Sequence, residues 1–310
     1  MQLAAANSPR VAGRSDGYEA WYVTINDPGH RRGFWLRYTY FLAGGQSRCE
    51  LWAAAFHRDE PARNTVVRSV LPAEAFEVQT PFCVRVGGSH LDENGCAGAF
   101  RGAGWELSWR SGAPPFPFLK PRWERVSTIG NAGAQPQLLI GGKVRLGGRA
   151  YTLKDAPGSQ QHTWGRTHAL EWNWGHASGR WGWVDGATSR VVSRLRRELR
   201  GTAAGAWLEG ERFASNGLLR VLRNPGRISP EQWLAELDGR RRTLRVAITP
   251  RREDLVGVTY EDPTGGVRYC YHTEVADLRL SLGGKALILE AAAAFEYGSE
   301  QPLAGVPLRL

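Results

Sequence analysis

The chain of 310 residues is 42% hydrophobic, enough for one large β-domain or two of ordinary size. Its formal net charge is +10, but outside Arg194–Arg200 and Arg240–Arg242 the basic residues are scattered, and all but Lys120, Lys143, Lys154 and Lys285 are arginine. That distribution argues against nucleic-acid binding while remaining compatible with peripheral contact to an anionic membrane, and the absence of a secretory signal or spanning apolar run leads to a cytoplasmic expectation.

In chain order, residues 1–16 read as a flexible tail. Gly33–Leu42 (GFWLRYTYFL) and Cys49–His57 (CELWAAAFH) are strands, divided by Gly44-Gly45. Trp105, Leu107 and Trp109 alternate with polar residues, the pattern of a strand with one wet face. Four prolines exclude Ser111–Arg122 from a central strand, and its Phe116 and Phe118 suggest an arm across a barrel mouth or domain seam. Lys143–Leu146 and Arg149–Leu153 flank Gly147-Gly148, a two-residue hairpin signal. Val191–Leu199 is expected to be a helical connector between two β-domains. Ser229-Pro230-Glu231-Gln232 resembles a helix start, predicting a short helix through Leu237. Arg245–Thr249, Leu255–Glu261, Val267–Thr273 and Asp277–Leu282 then recur at strand-like intervals. Regular short strands with turn signals imply a barrel or sandwich.

Cys49, Cys83, Cys96 and Cys270 have no CxxC spacing and read as free thiols; Cys83, His90 and Cys96 lack a fourth zinc ligand nearby. There is no phosphate-binding loop and no strand–GxGxxG–helix unit. The serine of Gly175–Gly179 is misplaced for a nucleophile elbow. His162, His168 and His176, with Asp185, match no short metal motif, so no metal or other cofactor is expected.

The most informative stretch is His162–Asp185, HTWGRTHALEWNWGHASGRWGWVD. Trp172, Trp174 and His176 alternate, as do Trp181, Trp183 and Asp185, with a short reversal at Ala177–Arg180. A hairpin would gather these four indoles, an imidazole and a carboxylate on one face. Such a wall suits an apolar ligand and chemistry passing through a carbocation, because indole faces attract cations. His162, His176 and Asp185 are the candidate proton-transfer groups. The competing reading is that the tryptophans are ordinary core and the polar groups satisfy their N–H donors.

Gln161–Gly165 (QHTWG) followed by Leu170–Gly175 (LEWNWG) resembles a family of two-domain lipocalin-like β-proteins. The family includes carotenoid 1,2-hydratases (hydroxyneurosporene synthases) and AttH-like proteins, with tocopherol cyclase more remote. His162, Trp164, Gly165, Trp172 and Trp174 stand at the matching positions; Trp181, Trp183 and Asp185-Gly186 look like the following strand, and Phe295–Gly298 like the closing segment. The resemblance implies an all-β fold of two lipocalin-like antiparallel barrels or sandwiches with few short helices. It also implies cofactor-free protonation of a polyene or prenyl chain, followed by hydration or cyclisation. Gln161 occupies the place where the pattern carries Asp, and an amide cannot serve as the acid.

The expected organisation is therefore a tail over 1–16, an N-terminal domain over 17–190 carrying the Trp/His cluster, and a C-terminal domain over 191–310. The expected function is binding of an isoprenoid, polyene or similar molecule, with hydratase or cyclase activity. His162, His176 and Asp185 would be catalytic; Gln161, Trp164, Trp172, Trp174, Trp181 and Trp183 would contact the ligand. The alternative is a non-catalytic carrier, which would keep the aromatic wall and dispense with the acid.

Overall fold

Alternating apolar residues draw the chain into antiparallel strands over most of its length, and the strands join into two sheets. The structure, a computed structural model, describes residues 1–11, 16–239 and 242–310; Arg240 and Arg241 of the second basic cluster lie outside the described residues.

The first sheet has 12 strands. It runs from Thr65–Pro72 through Gln46–His57, Arg32–Ala43, Gly17–Asp27, Arg149–Gly165, Ile129–Leu146 and Ala103–Ser111 to short strands ending at Phe76–Gln79. Its two end strands are consecutive in the chain, joined by the turn Ala73–Ala75, so the sheet curls almost shut. Trp21, Ile25, Phe34, Leu36, Tyr38 and Ile140 fill it. The hairpin at Gly147-Gly148 forms as expected, with Leu146 opposite Arg149 and both glycines at positive φ.

The second sheet has 9 strands, and its centre runs Glu198–Leu208, Gly182–Val192, Glu171–Gly179, Lys285–Ser299, Val267–Leu282. It encloses Trp233, Tyr271, Phe295, Ile248 and Leu278. The helices Leu3–Asn7 and Leu218–Arg223 are short, and the fold is all-β and lipocalin-like, as the sequence implies.

The two sheets meet on a third apolar cluster, drawn from both. Along Gly17–Asp27, Trp21, Val23 and Ile25 point into the first core, while Tyr22 belongs to the shared seam. Along Arg32–Ala43 the inner side chains are Phe34, Leu36 and Tyr38, leaving Trp35, Arg37 and Thr39 towards the second sheet. Strands buried on both faces lose the wet/dry alternation, which is why GFWLRYTYFL reads as a continuous aromatic run. Phe116 and Phe118 also lie in this seam. Arg58 crosses it to bond Asp254 at 2.8 Å and Asp277 at 2.6 Å.

Several expectations are corrected. The first sheet ends at Gly165 and the second begins at Glu171, so the tryptophan hairpin joins the second sheet instead of the unit ending at 190. Val191–Leu199 is not helical: its ends extend the strands Gly182–Val192 and Glu198–Leu208, and the β-branched Val191-Val192 pair favours that. Ser229–Leu237 does not open a helix either, because Trp233, Ala235 and Leu237 alternate into the core of a strand, Trp233–Asp238. Val267–Thr273 and Asp277–Leu282 are one strand, irregular in register between Thr273 and Leu278. The first residues are packed rather than free: Ala6, Asn7 and Val11 are fully buried. Asn7 and Gln160 exchange amide hydrogen bonds at 3.0 and 2.9 Å, and Glu19 accepts from the backbone N–H groups of Arg10 and Val11.

Candidate functional site

Strands Glu171–Gly179 and Gly182–Val192 pair with His176 opposite Asp185 and Trp174 opposite Ala187. Trp172, Trp174, His176, Trp183 and Asp185 consequently share the face turned to the first sheet. Trp181 does not join them. It occupies the turn and packs against the second core.

Between the sheets lies a partly open cavity of about 180 Å³. An apolar cavity of roughly 150 Å³ already admits benzene. Tyr18, Tyr22 and Arg37 line it from the first sheet, and Trp172, Trp174, Tyr260 and Glu296 from the second. Val126, Leu218, Val221 and Leu222 also line it, along with Val191 and Leu199, which flank the arginine-rich turn. Of the tryptophans expected to contact a ligand, Trp172 and Trp174 line the cavity. Trp183 is buried beside it against Phe116, with ring centroids 5.7 Å apart.

His162 and Trp164 face the other way. His162 stacks on Trp21 at 4.6 Å; its Nε2 bonds Glu19 at 2.8 Å and its Nδ1 bonds the Ala6 carbonyl at 2.8 Å. Trp164 packs on Val11 and Ala132 beneath the N-terminal segment. Strand alternation separates them from Gln161, whose side chain points into the seam. There the Gln161 amide donates to Asp185 Oδ2 at 3.0 Å, while Trp174 Nε1 donates to Asp185 Oδ1 at 3.1 Å. Burial pushes the Asp185 carboxyl up to about 7 against these bonds. Gln161 thus serves as a donor to a carboxyl supplied by the opposite sheet. His176 is buried, and its Nε2 donates to the Pro136 carbonyl at 2.9 Å. Its Nδ1 has no partner among the described residues, and burial drives its pKa down to about 4. His168 stacks on Tyr18 at 3.9 Å in the cavity wall, and burial lowers it to about 3. The three histidines therefore occupy three separate environments.

A polar network that sequence reasoning missed reaches the cavity directly. Glu296 Oε2 accepts from Trp172 Nε1 at 3.2 Å, and Oε1 accepts from His272 Nδ1 at 3.0 Å. His272 Nε2 donates onward to Glu274 at 2.9 Å, and Glu274 accepts from Asn26 at 3.1 Å. Burial opposes the charged imidazole, but the bonds to Glu274 and Glu296 outweigh it and raise His272 to about 9. Burial pushes Glu274 up to about 7. For Glu296, burial is overcome by the hydrogen bond and charge of His272, which hold it below the usual range. The available signal was a carboxylate inside AAAAFEYG, an otherwise apolar run.

Cavity, aromatic wall and buried acid–base network together describe a lipocalin-like two-sheet protein with an aromatic-lined interior. No family model matches the chain. The chain is 29% identical over 294 residues to the uncharacterised protein Rv0493c of Mycobacterium tuberculosis, covering 91% of this chain and 86% of the relative. CghA shares the fold with TM-score 0.62 and 12% identity, covering 95% of this chain and 92% of CghA. An AttH-like protein of Nitrosomonas europaea gives 0.57 at 11% identity, with 94% and 99% covered. Kievitone hydratase of Nectria haematococca gives 0.53 at 11% identity, with 96% and 92% covered. At these identities the likeness concerns the fold.

Proposed function

We propose that the protein binds an apolar small molecule, an isoprenoid, polyene or similar chain, in the cavity between its sheets. We further propose a cofactor-free proton transfer there, leading to hydration or cyclisation. The observation that carries this reading is Glu296: a carboxylate in the wall of an aromatic cavity, backed by a charged imidazole and a second carboxyl. His272 passes its Nδ1 proton to Glu296, and Glu296 delivers it to a ligand double bond. The resulting cation lies against the faces of Trp172 and Trp174, an attraction of about 0.5–2 kcal/mol per desolvated contact. Ring closure with loss of a proton, or addition of water with loss of its proton, returns that proton to the Glu296–His272 pair. No net charge is left in the site.

This assigns the acid–base role to Glu296, with His272 as its relay. Asp185 stands behind Trp174, and His162 is held on the far face of the first sheet. The hydratase named among the structural neighbours makes such a reaction class reasonable for this fold. Exposed Leu195 and the basic turn around it adjoin the cavity-lining Val191 and Leu199, which suits loading of an apolar molecule from an anionic membrane surface. The alternative is a carrier. What favours it is that both Glu296 oxygens already accept hydrogen bonds, a network complete without a reaction.

The test is incubation with prenyl quinols, carotenoids and other polyenes, with products resolved by mass. Turnover abolished in Glu296→Gln while saturable quenching of tryptophan fluorescence persists supports the enzyme. Quenching without product from the wild type supports the carrier.

A further inference from the structure

Arg37 projects from the middle of an aromatic strand into the seam and is only 6% exposed. Its Nε donates to Thr39 Oγ1 at 3.0 Å. No carboxylate among the described residues lies within the 4.0 Å of an ion pair, and no hydrogen bond from its two terminal nitrogens appears there. The guanidinium lies over the rings of Tyr260, at 4.5 Å, and Trp35, at 5.7 Å. Those contacts recover part of the cost of burying a charge, but among the described residues they give the two terminal nitrogens no acceptor.

Two further observations point to the same end of the cavity. Tyr18, Arg37, His168 and Tyr260 line both the main cavity and a smaller one beside it, so they form the wall between the two. Among the described residues the buried Tyr260 hydroxyl has no N or O hydrogen-bond partner, only the weakly polar Cys270 thiol within its reach. The carboxylate of Glu296 acts on Arg37 through its charge but makes no direct bond to it, its two oxygens accepting from His272 and Trp172. Among the described residues, a cation with two donor nitrogens left without acceptors and a phenol with no partner but a thiol thus flank an aromatic cavity.

We propose that the occupant of this cavity is an amphiphilic acid: an apolar chain ending in a carboxylate that Arg37 clamps and the Tyr260 hydroxyl supports. Arginine presents paired N–H donors that match the two oxygens of a carboxylate, and a low-dielectric wall strengthens the bond. The apolar chain then runs past Trp172 and Trp174. This rests on the proposed ligand-binding reading and narrows it to a substrate class, with Arg37 as the residue that sets specificity.

The experiment is fluorescence titration of the full chain with two matched pairs, geranylgeranoic acid against geranylgeraniol and palmitate against hexadecanol. Wild type and Arg37→Met are compared. The wild type is expected to bind each acid about 10- to 100-fold more tightly than its alcohol, the range of a charge-assisted hydrogen-bond pair. Arg37→Met is expected to lose that preference while keeping its affinity for the alcohol, which also shows that the variant folds. Arg37→Lys, if Arg37→Met proves insoluble, should keep part of the preference. Equal wild-type binding of acid and alcohol, or a preference that survives in Arg37→Met, overturns the proposal but leaves the apolar cavity standing. Binding of none of the four overturns both.

Discussion

At the scale of single residues, burial sets the chemistry. Asp185 has an ordinary value of 3.8 and is raised to about 7 in the folded chain. Below about pH 4 both folded and unfolded states carry the proton and there is no penalty. Between about pH 4 and 7 the unfolded chain releases it while the folded chain retains it, so stability falls as pH rises and then levels off. The full cost is roughly 4 kcal/mol at about 1.36 kcal/mol per pH unit. Asp185→Asn should therefore melt higher than wild type at about pH 8, with the advantage gone by about pH 4; calorimetry across that range checks it. For Glu274, raised to about 7, the expected signature is kinetic. A turnover inflection near neutrality should disappear in Glu274→Gln, which keeps an acceptor for His272 but cannot titrate.

Much of the wall was legible in residues because strand geometry is local. Alternation alone puts Trp172, Trp174, His176, Trp183 and Asp185 on one face. It could not say which sheet that face meets, nor which side of their own strand Gln161 turns to the seam, although the same alternation already sets Gln161 and His162 on opposite sides. Trp181 escaped because the reversal is one residue later than the sequence suggested, placing it in the turn. Arg37, Glu296 and His272 were out of reach for a different reason. Glu296 and His272 face each other only through the register of the long hairpin Val267–Leu282 and Lys285–Ser299, and only the meeting of the two sheets brings Arg37 to the same cavity. Their mark in the sequence is the same: a charged or titratable residue inside a run with no solvent face.

At the scale of elements, close approaches hold the wall in position. Gly298 pairs with Trp172 across the strands, and a Cβ there would lie 2.2 Å from the indole. Gly298→Ala should displace Trp172 from Glu296 and cost about 1–3 kcal/mol, the usual range for overpacking. Denaturant titration measures that cost. Adding Trp172→Phe should reduce the penalty, because the two changes share one contact. The misread elements carry a related lesson. Ser229–Leu237 has a helix-start signature and Val191–Leu199 has helix-favouring arginine and leucine, yet the first becomes strand from Trp233 on and the second a turn whose two ends continue paired strands. In each case the sheet offered partners for an extended backbone, and that pairing outweighed weak local preference.

At the scale of the whole molecule, a few buried polar groups tie distant segments together. Asn7 holds the N-terminal segment over the first sheet, and Asn7→Ala should cost about 1–3 kcal/mol by leaving Gln160 short of partners. Arg58 does the same between sheets, where Asp254 is fully buried.

The cavity is the claim on which the functional account turns, and Ala187, in its wall opposite Trp174, offers a way to fill it. The decisive measurement is binding stoichiometry for an amphiphilic polyene acid to wild type and to Ala187→Trp, with melting temperatures recorded for both. One saturable equivalent bound by the wild type, and none by a variant that still unfolds cooperatively, is the predicted result. Undiminished binding once the space is occupied by an indole would contradict it.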